Sequence, residues 1–105
     1  MTYYLQISST DWIEQQVILQ DAMSTLEKLC DIDNGYLLNE PMSKFGWTFV
    51  DILLKPNFHM AIEQEFSDKI YKSKGTKPTE KFVYFLSKFL EDEGCKIKLK
   101  LLENN

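Results

Sequence analysis

The side chains best suited to catalysis or metal binding are scarce in this chain. Its single histidine is His59, and its two cysteines are Cys30 and Cys95. A cysteine nucleophile requires a neighbouring base, and His59 is the only imidazole that can serve as one. A zinc site requires several such ligands at close spacing, which these positions lack. The sequence therefore predicts no metal site and no enzyme, and Cys95 with His59 is the one catalytic pairing to locate in the fold.

The segment Asp31-Ile-Asp-Asn-Gly35 resembles the start of a calcium loop in its acidic spacing. Gly35 falls at the fifth position of such a loop instead of the sixth, and Met42 stands at the twelfth, where glutamate is needed. The four glycines of the chain are scattered, so no glycine-rich loop can cradle a phosphate. No G-x-S-x-G nucleophile elbow is present either. We therefore expect no cofactor.

The charged residues narrow the choice of partner. All twelve basic residues are lysine, and sixteen acids bring the net charge to -4. Residues 1–54 hold eight acids and two lysines, a balance of -6, whereas residues 55–105 hold eight acids and ten lysines, a balance of +2. Arginine grips phosphate with a planar fork, so its absence disfavours direct nucleic-acid binding, and the lysines from Lys69 to Lys81 are interpreted as a solvated loop. The acidic half predicts a cationic partner.

The first third of the chain predicts a strand followed by a long helix. Residues 2–8 alternate around Leu5 and Ile7 with the period of a strand. Apolar residues then recur at helical spacing from about Thr10 to Cys30. Two further apolar residues of that helix, Ile13 and Val17, lie on another side, where they either meet a second element or form an exposed pair. The expected buried stripe consists of Trp12, Leu19, Ala22, Met23, Leu26 and Cys30.

The middle of the chain predicts a turn and two strands. Asn34-Gly35 can adopt positive φ and closes a turn that begins at Asp31. Tyr36–Leu38 is a short strand candidate, and residues 41–46 are interpreted as a break. Trp47–Leu54 is the strongest strand signal, and its apolar residues on both faces predict a central position in the sheet.

The second half predicts two helices and a final strand. A helix begins near Pro56, and its apolar residues Phe58, Ile62, Phe66 and Ile70 recur every four residues. A basic loop spans residues 72–78, and a third helix runs from about Thr79 to Glu93. Gly94 is expected to end that helix in a Schellman motif. Residues 96–101 alternate lysine with apolar residues, which is typical of an edge strand.

These elements predict a single α+β domain over residues 1–105. The order β-α-β-β-α-α-β predicts a sheet of about four strands, mixed or antiparallel, packed by three helices. The N-terminal residues show neither a basic region nor a sustained apolar stretch, so no secretion signal is expected. No apolar run approaches the length of a membrane span. We expect a cytoplasmic protein with reduced cysteines and no membrane contact.

One acidic cluster lies at the end of the third predicted helix. Glu91, Asp92 and Glu93 occupy its last turn, where the helix dipole favours cations over acids. A sequence that keeps a locally unfavourable cluster can be using it for binding, because departures from local rules gather at functional sites. The ordinary alternative is a solvated helix end.

A second acidic cluster surrounds an aromatic residue near the predicted turn. Asp31, Asp33 and Glu40 flank Tyr36, which offers apolar area and a hydrogen-bonding tip to an interface. Both clusters are therefore candidate partner-binding sites. Tyr36, Trp47 or the pair of Ile13 and Val17 would supply the buried anchors.

In size, acidity, aromatic richness and lack of catalytic residues, the chain resembles bacterial immunity proteins, including those of contact-dependent growth inhibition systems. Its closing unit of helix, Gly94 and strand is also similar to the end of barstar-type ribonuclease inhibitors. The resemblance implies a monomeric inhibitor that binds a cognate toxin, such as a basic nuclease domain, and blocks its active site. The alternatives are a small adaptor or homo-oligomeric module and an acidic nucleic-acid mimic.

Overall fold

A computed structural model describes residues 3–102, and the α+β class predicted from the sequence is confirmed. Thr2, where the predicted first strand begins, lies outside the described residues. Five strands and four helices occur in residues 3–102, two elements more than predicted. In chain order they are β1 (Tyr3–Ser9), α1 (Trp12–Cys30), β2 (Tyr36–Leu38), β3 (Met42–Lys44), β4 (Trp47–Leu54), α2 (Pro56–Glu65), α3 (Ser67–Tyr71), α4 (Pro78–Asp92) and β5 (Lys98–Leu101).

The sheet has the strand order β2-β4-β1-β5, and β3 pairs with β4. Every pairing is antiparallel. Consequently β1 and β2 run parallel with β4 between them, and β4 and β5 run parallel with β1 between them. Each of these is a split β-α-β arrangement, and the sheet contains two of them. The predicted central position of β4 and the predicted edge position of β5 both hold.

The long ladder between β1 and β4 gives the sheet two different faces. Leu5 pairs with Ile52 and Ile7 pairs with Val50, and all four side chains are buried. The side chains on the opposite face of the same strands are only half-buried. They are Tyr4, Gln6 and Ser8 of β1 and Trp47, Phe49, Asp51 and Leu53 of β4. The core therefore lies on one side of the sheet, and the other side is open.

The helices complete the core on the buried side. The apolar stripe predicted for α1 is buried from Trp12 to Leu26, and Cys30 is half-buried at its end. Ile13 and Val17 are 82% and 59% exposed, so they form the exposed pair rather than a contact with a second element. Phe58, Ile62, Phe82 and Leu86 from α2 and α4 fill the rest of this layer.

The four-residue period predicts one continuous second helix, and that prediction is wrong at Phe66. Phe66 has φ -118° and ψ 28°, which interrupts the helix and separates α2 from α3. Its ring lies 5.0 Å from that of Phe85 and 6.4 Å from that of Phe89, between centroids. Ile62 of α2 is buried in the core and Ile70 of α3 packs against it, so the periodicity continues across the break and hides it.

The predicted stop after α4 is confirmed in detail. The Cys95 amide donates to the Leu90 carbonyl at 2.9 Å, and the Gly94 amide donates to the Glu91 carbonyl at 2.9 Å. Gly94 has φ 87°, as the Schellman motif requires. Lys96 then donates its amide to the Gln15 side-chain oxygen at 2.7 Å, which fastens the start of α1 to the connection before β5.

In the turn before β2, Asn34 adopts the positive φ that was predicted for both Asn34 and Gly35, and Gly35 has a different role. Asn34 has φ 53° and Asp31 has φ 55°, whereas Gly35 does not adopt positive φ. Gly35 is required for space instead, because a Cβ there would lie 2.4 Å from Cγ of Phe58. Glu27 holds the turn by accepting the Gly35 amide at 2.8 Å.

Gly35→Ala is expected to lower the free energy of unfolding by about 3 kcal/mol, because the added methyl group collides with the buried Phe58 ring. Gly94→Ala is the matched comparison, since a Cβ there meets nothing within 4 Å and only the positive φ is strained. It should cost about 1 kcal/mol. Urea denaturation measures both, and an equal or smaller loss for Gly35→Ala would contradict this packing.

Candidate functional site

The candidate site is one edge of the sheet, formed by residues 31–46 and here called the edge segment, which carries three exposed apolar side chains. Both β2 and β3 lie along the same side of β4, pairing with its two ends. Within residues 3–102 neither strand pairs with anything else, so their outer backbone groups face solvent. Pro41 separates these two three-residue strands. Short edge strands interrupted by proline limit uncontrolled strand pairing.

The edge segment ends in a tight hairpin turn with an unusual residue at its tip. Lys44 pairs directly with Trp47, so Phe45 and Gly46 form a two-residue loop. Their φ angles are 55° and 79°, and positive values at both positions are those of a type I′ turn. Asparagine or aspartate normally occupies the first of these positions, and an aromatic residue there costs about 1 kcal/mol of backbone strain. Phe45 is nevertheless 89% exposed.

Two further apolar side chains of the edge segment are exposed. Met42 is 71% exposed and Leu37 is 51% exposed. Their register places Met42 opposite Phe49 and Leu37 opposite Leu53, on the open face of the sheet. Met42 thus adjoins Phe49 near the hairpin tip and Leu37 adjoins Leu53 at the other end of β4, and Asp51 lies between the two apolar groups on the open face.

Three of the predicted binding residues are exposed carboxylates on this edge. Asp31 and Asp33 lie in the turn before β2, and Glu40 lies between β2 and β3. None of the three forms an ion pair within 4 Å with another residue in the described part of the chain. Lys44 is the one cation of the edge segment, and its Nζ lies 5.5 Å from the centroid of the Phe45 ring. The edge segment is therefore net negative.

Tyr36, the predicted aromatic centre of this cluster, faces the other way. It pairs with Leu54, and its half-buried side chain packs against the core. Burial raises the pKa of the Tyr36 hydroxyl, and the nearby carboxylate of Glu27 raises it further. The exposed position next to the acids belongs instead to Leu37, one residue along the strand.

The second predicted cluster is separate from the first. Glu91, Asp92 and Glu93 lie at the end of α4, which leads into β5 at the opposite edge of the sheet. Three strand spacings, about 14 Å, separate the two edges. Lys88 lies 3.4 Å from Glu91 and 3.8 Å from Asp92, and its pKa is raised by the hydrogen bond to Glu91 and by both charges. Two of these three acids thus have a nearby counter-charge.

The catalytic pairing considered from the sequence meets an unfavourable environment in the fold. His59 lies in α2, where its Nε2 is 2.9 Å from Glu63 and its ring packs edge-on against Phe82. Burial lowers the pKa of His59, and Glu63 partly offsets that effect. Burial raises the pKa of the Cys95 thiol to about 11, which disfavours the reactive thiolate. Within residues 3–102, no cluster of three or more His, Cys, Asp or Glu side chains can hold a metal ion.

The sequence does not predict the exposed apolar residues of this site. Because residues 41–46 are interpreted as a break, neither Met42 nor Phe45 is predicted as a binding residue. The sequence does contain one signal of a hairpin turn. Gly46 lies two residues after Lys44 and directly before the alternating strand that begins at Trp47. A phenylalanine at the first turn position obscured that hairpin signal.

No protein-family model matches this chain, and no curated protein or solved structure is significantly similar to it. In the part of the chain that the structure describes, no helix combines the length and the apolar character needed to cross a membrane. The site is therefore defined by its own geometry: an open sheet face, an apolar hairpin tip and, along one edge, carboxylates that form no ion pair among residues 3–102.

The two thiols should differ in reactivity in the folded protein. At pH 8 a thiol with a pKa of about 11 is ionised to about 0.1%, and Cys95 is also buried. Cys30 is half-buried, and its pKa is also raised by burial and by the charge of Glu65, so the expected difference comes mainly from its greater access to the reagent. In a Cys95→Ser variant the remaining thiol should react with a chromogenic disulfide at least about tenfold faster than in a Cys30→Ser variant. Equal rates would contradict the environment described for Cys95.

Proposed function

We propose that this protein is a non-catalytic inhibitor of the immunity type, which binds a cationic toxin domain and covers its active site. The observation that carries the proposal is the edge segment, where exposed apolar side chains share an edge with carboxylates that form no ion pair within residues 3–102. An apolar centre with a charged rim is the usual anatomy of a specific protein interface. The toxin would be a basic domain such as a nuclease, and the complex would form in the cytoplasm.

The electrostatics of the edge segment fit the capture of such a toxin. An inhibitor must reach its toxin before the toxin acts, and opposite charges raise association rates by factors of ten to about a thousand. The carboxylates of Asp31, Asp33 and Glu40 are exposed and have no lysine within ion-pairing distance among residues 3–102. They are therefore available to a positive surface on the toxin.

A homo-oligomeric module is the second candidate function. The observation that favours it is the presence of free strand edges at both ends of the sheet, on β2 with β3 and on β5. Strand addition at such an edge can join two copies. Light scattering at micromolar concentration separates the two candidates, since the inhibitor is expected to be a monomer before it binds its toxin.

The direct test of the proposed function is to search the adjoining genes for a basic toxin domain, and then to co-express and purify that domain with this chain. Co-expression should protect cells from that domain, and the two purified proteins should form a stoichiometric complex in size-exclusion chromatography at low salt. Neither protection nor a complex with any adjoining toxin domain would contradict the proposal.

The contribution of the edge carboxylates is tested by two charge-matched triple variants. Asp31→Asn with Asp33→Asn and Glu40→Gln removes three charges from the edge segment, and it should slow association with the toxin domain about tenfold at low salt. Glu91→Gln with Asp92→Asn and Glu93→Gln removes three charges from the end of α4 and should have a smaller effect. Stopped-flow association rates at several salt concentrations measure both. Equal effects would show that only net charge matters, against the proposed location.

A further inference from the structure

We propose that the open face of the sheet binds single-stranded nucleic acid. Bases stack on the aromatic rings of β4, and the lysines of β3 and β5 hold the phosphates. This site goes beyond the proposed inhibitor function, because its ligand is an anion and it uses none of the carboxylates of the edge segment. Either function can therefore be present without the other.

The aromatic rings of the open face provide the stacking surface. Trp47 and Phe49 lie on this face of β4, and Tyr4 lies on the same face of β1. All three are half-buried, so part of each ring is accessible. Residues two apart on a strand are separated by about 7 Å, which gives each ring of β4 its own base. Such stacking tolerates any sequence, because every base has a π face.

Three lysines surround these rings. Lys44 pairs directly with Trp47, and Lys98 and Lys100 pair with the open-face residues of β1. None of the three lysines forms an ion pair within residues 3–102. The Nζ of Lys98 lies 5.3 Å from the centroid of a Trp47 ring. Because a lysine side chain is flexible, this ammonium group can turn to a phosphate while a base takes its place over the ring.

The charges of the open face favour an anionic ligand. Among residues 3–102, Asp51 is the acid that the strand register places on this face, against three lysines. Glu91 lines a cavity beside Trp47, but Lys88 lies 3.4 Å from it as a counter-charge. The acidic turn at residues 31–33 precedes β2, which pairs with the opposite end of β4. The face around Trp47 is therefore net positive, in contrast to the edge segment.

The cavity beside Trp47 gives a stacked base room and hydrogen-bonding partners. It has a volume of about 400 Å³, and its lining includes Ser8, Thr10, Trp47, Lys96 and Lys98. Hydroxyl and ammonium groups donate hydrogen bonds to base edges and phosphates. The chain has no arginine to read guanine with a planar fork, so the site should have little sequence preference. Stacking itself does not require arginine.

Two lysines on the helical side of the molecule provide a matched control. Lys69 lies in α3 and Lys72 directly follows that helix, and both are exposed. Lys98 and Lys100 are equally exposed on β5. Changing either pair to glutamine removes two positive charges from the surface, so the two double variants have the same net charge and differ only in location.

The experiment titrates the full chain into labelled single-stranded RNA or DNA of about ten nucleotides at low salt. Lys98→Gln with Lys100→Gln should weaken binding about tenfold or more, measured by fluorescence anisotropy. Lys69→Gln with Lys72→Gln should change it less than threefold. Phe49→Leu should weaken it about fivefold or more, because leucine keeps the apolar contact and loses the stacking. Contacts from three lysines predict a slope of about -2 for the logarithm of affinity against that of salt.

Tryptophan fluorescence locates the ligand on the face. Trp47 is half-buried and Trp12 is buried, so a stacked base should quench chiefly Trp47. Trp47→Phe should remove most of the quenching and keep much of the affinity.

Three results would overturn the inference. They are failure of the wild-type chain to bind either oligonucleotide, equal weakening by the two lysine pairs, and binding without a change in tryptophan fluorescence. The last two would indicate general attraction of a polyanion to lysines. Any of these results leaves the inhibitor function standing, and a failure of toxin binding leaves this site standing. The ratio of RNA to DNA affinity identifies which of the two the site prefers.

Discussion

The fold depends on the pairing of β4 with strands on both of its sides. One side of β4 pairs with β1 along seven residues, from Thr48 to Leu54, and the other side pairs with β2 and β3. Because side chains alternate along a strand, Val50 and Ile52 enter the core while Trp47 and Phe49 face the open side. A shift of one residue in this register would exchange the two sets and destroy the core. The same register that buries the core therefore produces the exposed apolar surface.

The edge of the sheet beside β4 combines two opposing physical requirements. A free strand edge invites uncontrolled association, and the chain limits this with short strands, a proline and exposed carboxylates. The same edge still presents Leu37, Met42 and Phe45 to solvent. The same edge carries three carboxylates that form no ion pair within residues 3–102, and this combination is the observation behind the proposed interface.

The sequence predicted those features that local chemistry determines. The period of two at Leu5 and Ile7 identified β1, and Gly94 identified the Schellman stop. It did not predict features set by tertiary contacts. Tyr36 lies between the acids in sequence, but its pairing with Leu54 turns it toward the core. Phe45 was missed because its type disfavours positive φ, and no local rule places an aromatic residue there.

The most direct test of the proposed interface is hydrogen–deuterium exchange of the free protein and of its complex with a cationic toxin domain, the class of partner proposed above. The account predicts that binding slows exchange in the amides from Leu37 to Trp47 and leaves those between α4 and β5 unchanged. Protection confined to the connection between α4 and β5, or to the helical side of the sheet, would contradict it.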